Sequence, residues 1–199
     1  MTLDTLGGGG TAPRIIGALW LLWAGYWLVS SISQKPVRRR EMPLARLGQI
    51  AFMGAAFWLL VSLGHMRSTV WHARFVPATP VVAAVAIALT LAGVAFSIWA
   101  RWCLGRNWSA AVTIRHDHEL IRRGPYAWIR HPIYTGILVA LLGTALGIGE
   151  LRAVVAFALV LLGFTLKARR EEKLLASEFG AAFDEHRRST GFFLPRLGA

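Results

Sequence analysis

The chain has 199 residues, a length that allows one domain or two small ones. Apolar residues make up 55% and charged residues 16%, with mean hydropathy +0.50; soluble domains carry about 25% charged residues, so this balance excludes disorder and points to a bilayer. The formal net charge of +12 makes nucleic acid a partner to weigh, and the single cysteine, Cys103, excludes a disulfide framework or a multi-cysteine metal centre.

In chain order, residues 1–13, with Gly7 to Gly10, read as a flexible tail. A membrane span needs about 20 mostly apolar residues, and segments 15–32, 47–64 and 81–100 meet that directly. Two shorter apolar segments, 133–149 and 153–166, are separated only by Glu150, Leu151 and Arg152, so they form an antiparallel helical hairpin. The last is short for a crossing and predicts local thinning of the bilayer or burial against its neighbours. Gly143 and Gly147 form a small-xxx-small pair that admits a close helix neighbour. The fold class is therefore all-α: a polytopic membrane protein of about five spans, including the hairpin, with a cytosolic amphipathic C-terminal helix. Three regions follow, a tail (1–13), three spans (14–100) and a polar-chemistry region with the hairpin (101–199).

Basic residues alternate with the spans. Lys35, Arg38, Arg39, Arg40 and Arg46 follow the first, and Arg101, Arg106, Arg115, Arg122, Arg123 and Arg130 follow the third. The opposite side holds only Arg14, Arg67, Arg74 and Arg152. By the positive-inside rule the N-terminus lies outside and the C-terminus in the cytosol. The charge is thus a topology signal, and no recognition motif accompanies it, so nucleic acid is set aside. The first span does not read as a cleaved signal peptide, because its basic cluster follows the apolar run. Tryptophans such as Trp20, Trp71, Trp102 and Trp128 fall within or near span ends, where bilayer interfaces favour them.

Polar chemistry is concentrated in 101–134 and 167–195. Gly124-Pro125 signals a turn. Pro132 suits the first position of a helix and places His131 at the cap, beside the positive end of a helix dipole that favours carboxylate or phosphate. Tyr134 and Gly136 fall in the first turns, where a small residue leaves space for a ligand. In the second segment Glu171, Leu175, Phe179 and Phe183 recur every four residues and form the inward stripe of an amphipathic helix. Glu171 extends that stripe and is either ion-paired with Lys167 or Arg130 or faces a ligand. Glu172, turned about 100° away, is expected on the surface. Six scattered histidines do not supply the clusters of a di-metal oxygenase, so no metal is expected. Nor is there a G-x-S-x-G, a phosphate-binding glycine loop or an H-E-x-x-H motif.

The spacing His118-x-Leu120-Ile121-x-x-Gly124-Pro125-Tyr126-x-x-x-Arg130-His131-Pro132-x-Tyr134-x-Gly136 resembles the isoprenylcysteine carboxyl methyltransferase family. Glu171-Glu172, Phe179-Gly180 and Phe193-Leu194-Pro195 follow in the same order. Related phospholipid methyltransferases and membrane sterol reductases share the Arg-His-Pro-x-Tyr core. The resemblance implies an integral-membrane enzyme that uses S-adenosylmethionine to methylate a lipophilic acceptor, a carboxylate of a prenylated or other lipid-like substrate. Its implied cofactor contacts are His118, Glu119, Leu120, Ile121, Tyr126, His131, Pro132, Ile133, Tyr134 and Glu171. The family's substrate-side arginine falls on Lys167, which keeps the charge but lacks the planar fork; Arg170 or Arg130 is the expected substitute. Membrane lipids are the other implied partner. A phospholipid N-methyltransferase, an NADPH-dependent membrane reductase and a non-catalytic membrane protein are the competing readings.

Overall fold

Long apolar runs bounded by proline and glycine dictate where the helices begin and end. The computed structural model describes residues 10–31, 37–40, 51, 54, 70–105, 113–115 and 120–196. The helices are α1 (Thr11–Ser31), α2 (Pro80–Leu104), α3 (Pro132–Ile148), α4 (Leu151–Phe179) and α5 (Ala181–Ser189), with a 3-10 turn at Gly124–Ala127. Thr79 caps α2 through a hydrogen bond that its hydroxyl accepts from the Val82 amide at 3.2 Å, and Pro80 follows where no amide is needed. Gly149 ends α3 in the left-handed region at φ 69°, a conformation glycine adopts without steric cost. That reversal is completed by Glu150, so the expected helical hairpin forms with α4 starting at Leu151.

Small residues decide how α2 and α3 meet. Buried Ala86, Thr90, Gly93, Ser97 and Ala100 line one face of α2 and oppose Gly136, Ala140 and Gly143 of α3. A Cβ on Gly143 would stand 2.6 Å from the Ala86 carbonyl oxygen, and one on Gly136 would stand 2.6 Å from the Ser97 amide. Gly136 therefore serves backbone contact between helices, not ligand space as the sequence led one to expect. Gly147, the other half of the expected glycine pair, faces Ile16 of α1. Two indoles pin α1 to this pair of helices. Trp20 Nε1 donates to Thr144 Oγ1 and Trp23 Nε1 to Ser97 Oγ, each at 3.0 Å.

Among the described residues three helices, α1, α2 and α4, are long and apolar enough to cross a membrane, and α3 is a shorter apolar helix of 17 residues. Leu21, Leu22, Leu28, Val29 and Leu162 are exposed on the outer faces of these helices, as lipid contact requires. This is an integral membrane protein. Of the expected span at 47–64, only residues 51 and 54 are among the described residues. The helix that carries the last apolar run extends well beyond it: α4 has 29 residues, roughly 44 Å at 1.5 Å per residue. Its apolar run ends at Leu166, and the helix continues through the polar residues that follow.

Each end of the bundle is tied by buried arginine. At one end Arg101 donates to the Ser30 carbonyl at 2.6 Å and to the Gly105 carbonyl at 2.7 Å, joining the ends of α1 and α2. At the other, Arg152 Nε donates to Glu150 at 2.6 Å, and His72 Nδ1 lies 3.1 Å from the same carboxylate oxygen. Beyond α1 and α2, the strands β1 (Val37–Arg40) and β2 (Thr113–Arg115) pair antiparallel, with an irregular register between Val37 and Arg39. The sequence reading did not anticipate this ribbon.

Candidate functional site

The 3-10 turn brings the first site residue inward. Pro125 starts it, the Ile129 amide donates to the Pro125 carbonyl at 3.0 Å, and Tyr126 is left buried. Residues 128–131 then run beside the C-terminal segment. The Gly191 amide donates to Trp128, Arg130 donates to Gly191 (both 2.9 Å), and the His131 amide donates to Phe192 at 3.2 Å. Thr135 Oγ1 adds a hydrogen bond to the Phe193 carbonyl at 2.7 Å. These bonds satisfy backbone groups that a helix start would otherwise leave open.

His131 holds the N-cap position of α3, as expected, yet its side chain makes no capping bond. The ring turns toward α4 and stands between two carboxylates. Its Nδ1 is 3.6 Å from Glu171 Oε2, and its Nε2 is 3.2 Å from Glu172 Oε1. Tyr134 donates its hydroxyl to Glu171 at 2.6 Å, and Lys167 Nζ stands 4.0 Å from the same carboxylate. On the far side Arg130 Nε donates to Glu172 at 2.6 Å, while its guanidinium also bonds the carbonyls of Arg187 and Thr190. The order Lys167, Glu171, His131, Glu172, Arg130 is therefore a row of alternating charge when the imidazole is protonated.

The position of Glu172 corrects the sequence reading. Instead of facing away on the surface, it is 15% exposed and bridges Arg130 and His131. Arg130, expected on the substrate side, is committed to Glu172 and the C-terminal segment. Aromatic rings enclose the row. Tyr134 stacks on His131 at 5.7 Å and on Phe164 at 4.8 Å, and Phe192 meets His131 edge-on at 5.0 Å.

These charges set the protonation of the site, which lies outside the apolar run. Burial pushes the His131 imidazole down, but hydrogen bonds and charge from Glu171 and Glu172 outweigh it and hold the pKa above its ordinary value. Burial pushes Glu171 up; the His131 bond, the Lys167 charge and the Tyr134 hydroxyl reverse that and leave it lowered. Glu172 is lowered against its own burial by His131 and Arg130. Tyr126, raised by burial and by the Glu171 charge, stays a neutral phenol.

Beside this row is a cavity of about 70 Å³. Leu104 of α2, Leu120, Ile121 and Tyr126 of the approach to α3, Leu175 of α4 and Phe183 of α5 supply its apolar walls. Arg130, His131 and His186 supply its polar atoms. The structure thus divides the expected site. Leu120, Ile121, Tyr126, Arg130 and His131 line the cavity, whereas Tyr134, Lys167 and Glu171 form the other part of the ladder around the imidazole. Pro132 and Ile133 are buried in the first turn of α3, with Ile133 packed among Ala100 and Tyr126. Arg170 donates to the Leu166 carbonyl one turn back at 3.3 Å. His118 and Glu119 lie outside the described residues.

Sequence reasoning missed two residues. Glu172 belongs to the Glu171-Glu172 pair of the resemblance, but its helical phase alone assigned it to the surface. His186 was within reach: it follows Phe183 by three positions, so it continues the same helical face. Among the described residues, no group of three or more histidine, cysteine or acidic side chains is placed to hold a metal ion. The donor set suits an organic cofactor with an aromatic body and charged groups of both signs. Flat apolar walls meet basic nitrogens at one cavity edge, and two carboxylates stand behind them.

Comparison with known proteins agrees with this chemistry. Residues 85–177 match the isoprenylcysteine carboxyl methyltransferase (ICMT) family. The chain is 33% identical over 96 residues to the protein-S-isoprenylcysteine O-methyltransferase of Schizosaccharomyces pombe, a stretch covering 47% of this chain and 41% of that protein. It is 36% identical over 80 residues to the Saccharomyces cerevisiae protein of the same description, covering 40% and 34%. A further relative is the cobalt-zinc-cadmium resistance protein CzcN of Cupriavidus metallidurans, 37% identical over 97 residues, or 47% of this chain and 44% of that one. The chain spans less than half the length of each of these relatives. Over residues 85–177 the chain is thus similar to the isoprenylcysteine carboxyl methyltransferase family.

Proposed function

We propose that the protein catalyses S-adenosylmethionine-dependent methyl transfer to a lipophilic acceptor, the carboxylate of a prenylated cysteine or a similar lipid-like acid. One observation carries the reading. Four of the contacts implied by the family resemblance, Leu120, Ile121, Tyr126 and His131, line one cavity at the head of the apolar helices. A water-soluble donor and a membrane-dissolved acceptor can meet there. Relatives described as protein-S-isoprenylcysteine O-methyltransferases support the same acceptor class.

When bound, S-adenosylmethionine supplies an electrophilic methyl group on a sulfonium. The chain supplies orientation and charge. Tyr126 and the aliphatic walls would hold the adenosine part, and the positive charge of Arg130 at the cavity edge would attract the carboxylate of the amino-acid part. Glu171 complements positive charge and is held ionised by its neighbours. Lys167 and Arg170, on the same stretch of α4, orient the acceptor carboxylate. A carboxylate nucleophile is already deprotonated at neutral pH, so no general base is required. Alignment and charge complementarity then carry the rate. Residues 101–199 form the catalytic region in this reading, and it faces the cytosol, with the N-terminus outside.

The test is equilibrium binding of S-adenosylmethionine to the purified protein in detergent, with NADPH as comparison, followed by methyl transfer to an N-acetyl S-prenylcysteine. Binding of NADPH in place of S-adenosylmethionine would replace this reading with the reductase. Orientation is tested separately by labelling a cysteine placed at position 38, with Cys103 replaced; an impermeant reagent must reach it from the cytosolic side only.

A further inference from the structure

We propose that His186 is a cofactor-binding residue that recognises the amino edge of the adenine ring; this rests on the reading of the cavity as an S-adenosylmethionine site. His186 lies beyond the matched region, on α5, and is 5% exposed. Among the described residues its ring has neither a hydrogen-bond partner nor an ion pair, although its backbone carbonyl accepts from Ser189 and Thr190. Its ring nitrogens are not sealed within the protein, so they keep polar surface open to a ligand, and the residue helps to line the cavity.

The surroundings define what it can bind. Tyr126 and Phe183, both buried, line the same cavity, together with Leu120 and Leu175. That space takes a flat, largely apolar group. Arg122 and Arg130 lie near His186, as does the opposing charge of Glu172, and the imidazole is kept neutral by burial and the two guanidiniums. A neutral imidazole is a poor partner for a carboxylate, but it carries one donor and one acceptor nitrogen. The amino edge of adenine suits the acceptor nitrogen, to which one 6-amino N–H can donate. His131, which also lines the cavity, is held by two carboxylates and cannot take this role.

Calorimetric titration of the full chain in detergent tests the assignment, with S-adenosylhomocysteine and its analogue lacking the 6-amino group as probes. His186→Phe keeps a flat ring and removes both polar atoms. It should weaken S-adenosylhomocysteine about tenfold, the loss expected for an unsatisfied buried hydrogen bond, and leave the deaminated analogue nearly unchanged. His186→Gln retains a donor and an acceptor and should recover part of the loss. Equal affinity of wild type and both variants for S-adenosylhomocysteine overturns the assignment. So does an equal loss for both probes, which marks a packing role. If wild type binds neither probe nor S-adenosylmethionine, the cofactor reading itself fails and this inference fails with it.

Discussion

Glu172 Oε1 stands 3.2 Å from His131 Nε2 and at the same time accepts from Arg130 Nε at 2.6 Å. One carboxylate thereby fixes two consecutive residues of the approach to α3 against α4. The adjacent Glu171 meets the other nitrogen of the same imidazole. Two neighbouring residues of one helix thus hold opposite edges of one ring.

Glu172→Gln should therefore cost more stability than Glu171→Gln. The substitution weakens charge-assisted bonds and leaves Arg130, whose side chain is 11% exposed, without its counter-charge. A loss of about 2 kcal/mol is expected, within the range for hydrogen bonds to charged groups. Thermal melts in detergent check the order, and a Glu172→Gln variant as stable as wild type would show that the bridge contributes nothing.

A second expectation concerns pH. The folded pKa of His131 lies above its ordinary value of 6.5, so its stabilisation is fully present below 6.5 and is lost as pH rises through the raised value. Glu171 and Glu172 are lowered from 4.5, so theirs is present above 4.5 and is lost as pH falls through the lowered values. Lowered in the folded state, His186 acts oppositely to His131, and its contribution fades as pH falls below 6.5. The melting-temperature gap between wild type and His131→Gln should be widest between 4.5 and 6.5 and narrow on the alkaline side. A gap that widens with rising pH contradicts the ladder.

Helix contact supplies a third test. Gly136→Ala places a methyl group 2.6 Å from the Ser97 amide and 2.7 Å from the Gly93 carbonyl, so α2 and α3 must separate. Overpacking of this kind costs about 1–3 kcal/mol. Gly25→Ala on α1, where nothing lies within 4 Å, should be neutral or slightly stabilising. Parallel melts of the two variants decide; equal effects would mean that the seam can yield.

The C-terminal segment should prove necessary to the site. Truncation after Ser189 removes the carbonyls that accept from Arg130, His131 and Thr135. Burial of His131 then declines, and cofactor affinity should fall by at least tenfold, with a smaller change in helix content. Affinity from calorimetry and helicity from circular dichroism separate the two effects. An unchanged affinity would make the segment dispensable.

Sequence alone determined the membrane character, the hairpin, the helix start at Pro132 and the residue types around the cavity. These follow from composition, chain reversal and proline geometry, which act within a few residues. Tertiary structure decided the rest. The phase of α4 placed Glu171 on an apolar stripe, but a stripe describes one helix by itself. Whether Glu172 is buried depends on Arg130 and His131, about forty residues earlier, arriving beside it. Gly136 likewise looked like space for a ligand until α2 supplied Gly93 and Ser97 to fill it. The polar run from Lys167 suggested a new element, yet backbone hydrogen bonding carries α4 unbroken from the bilayer into the site. Side-chain type is written locally; which partner satisfies a buried charge is settled only when distant segments pack.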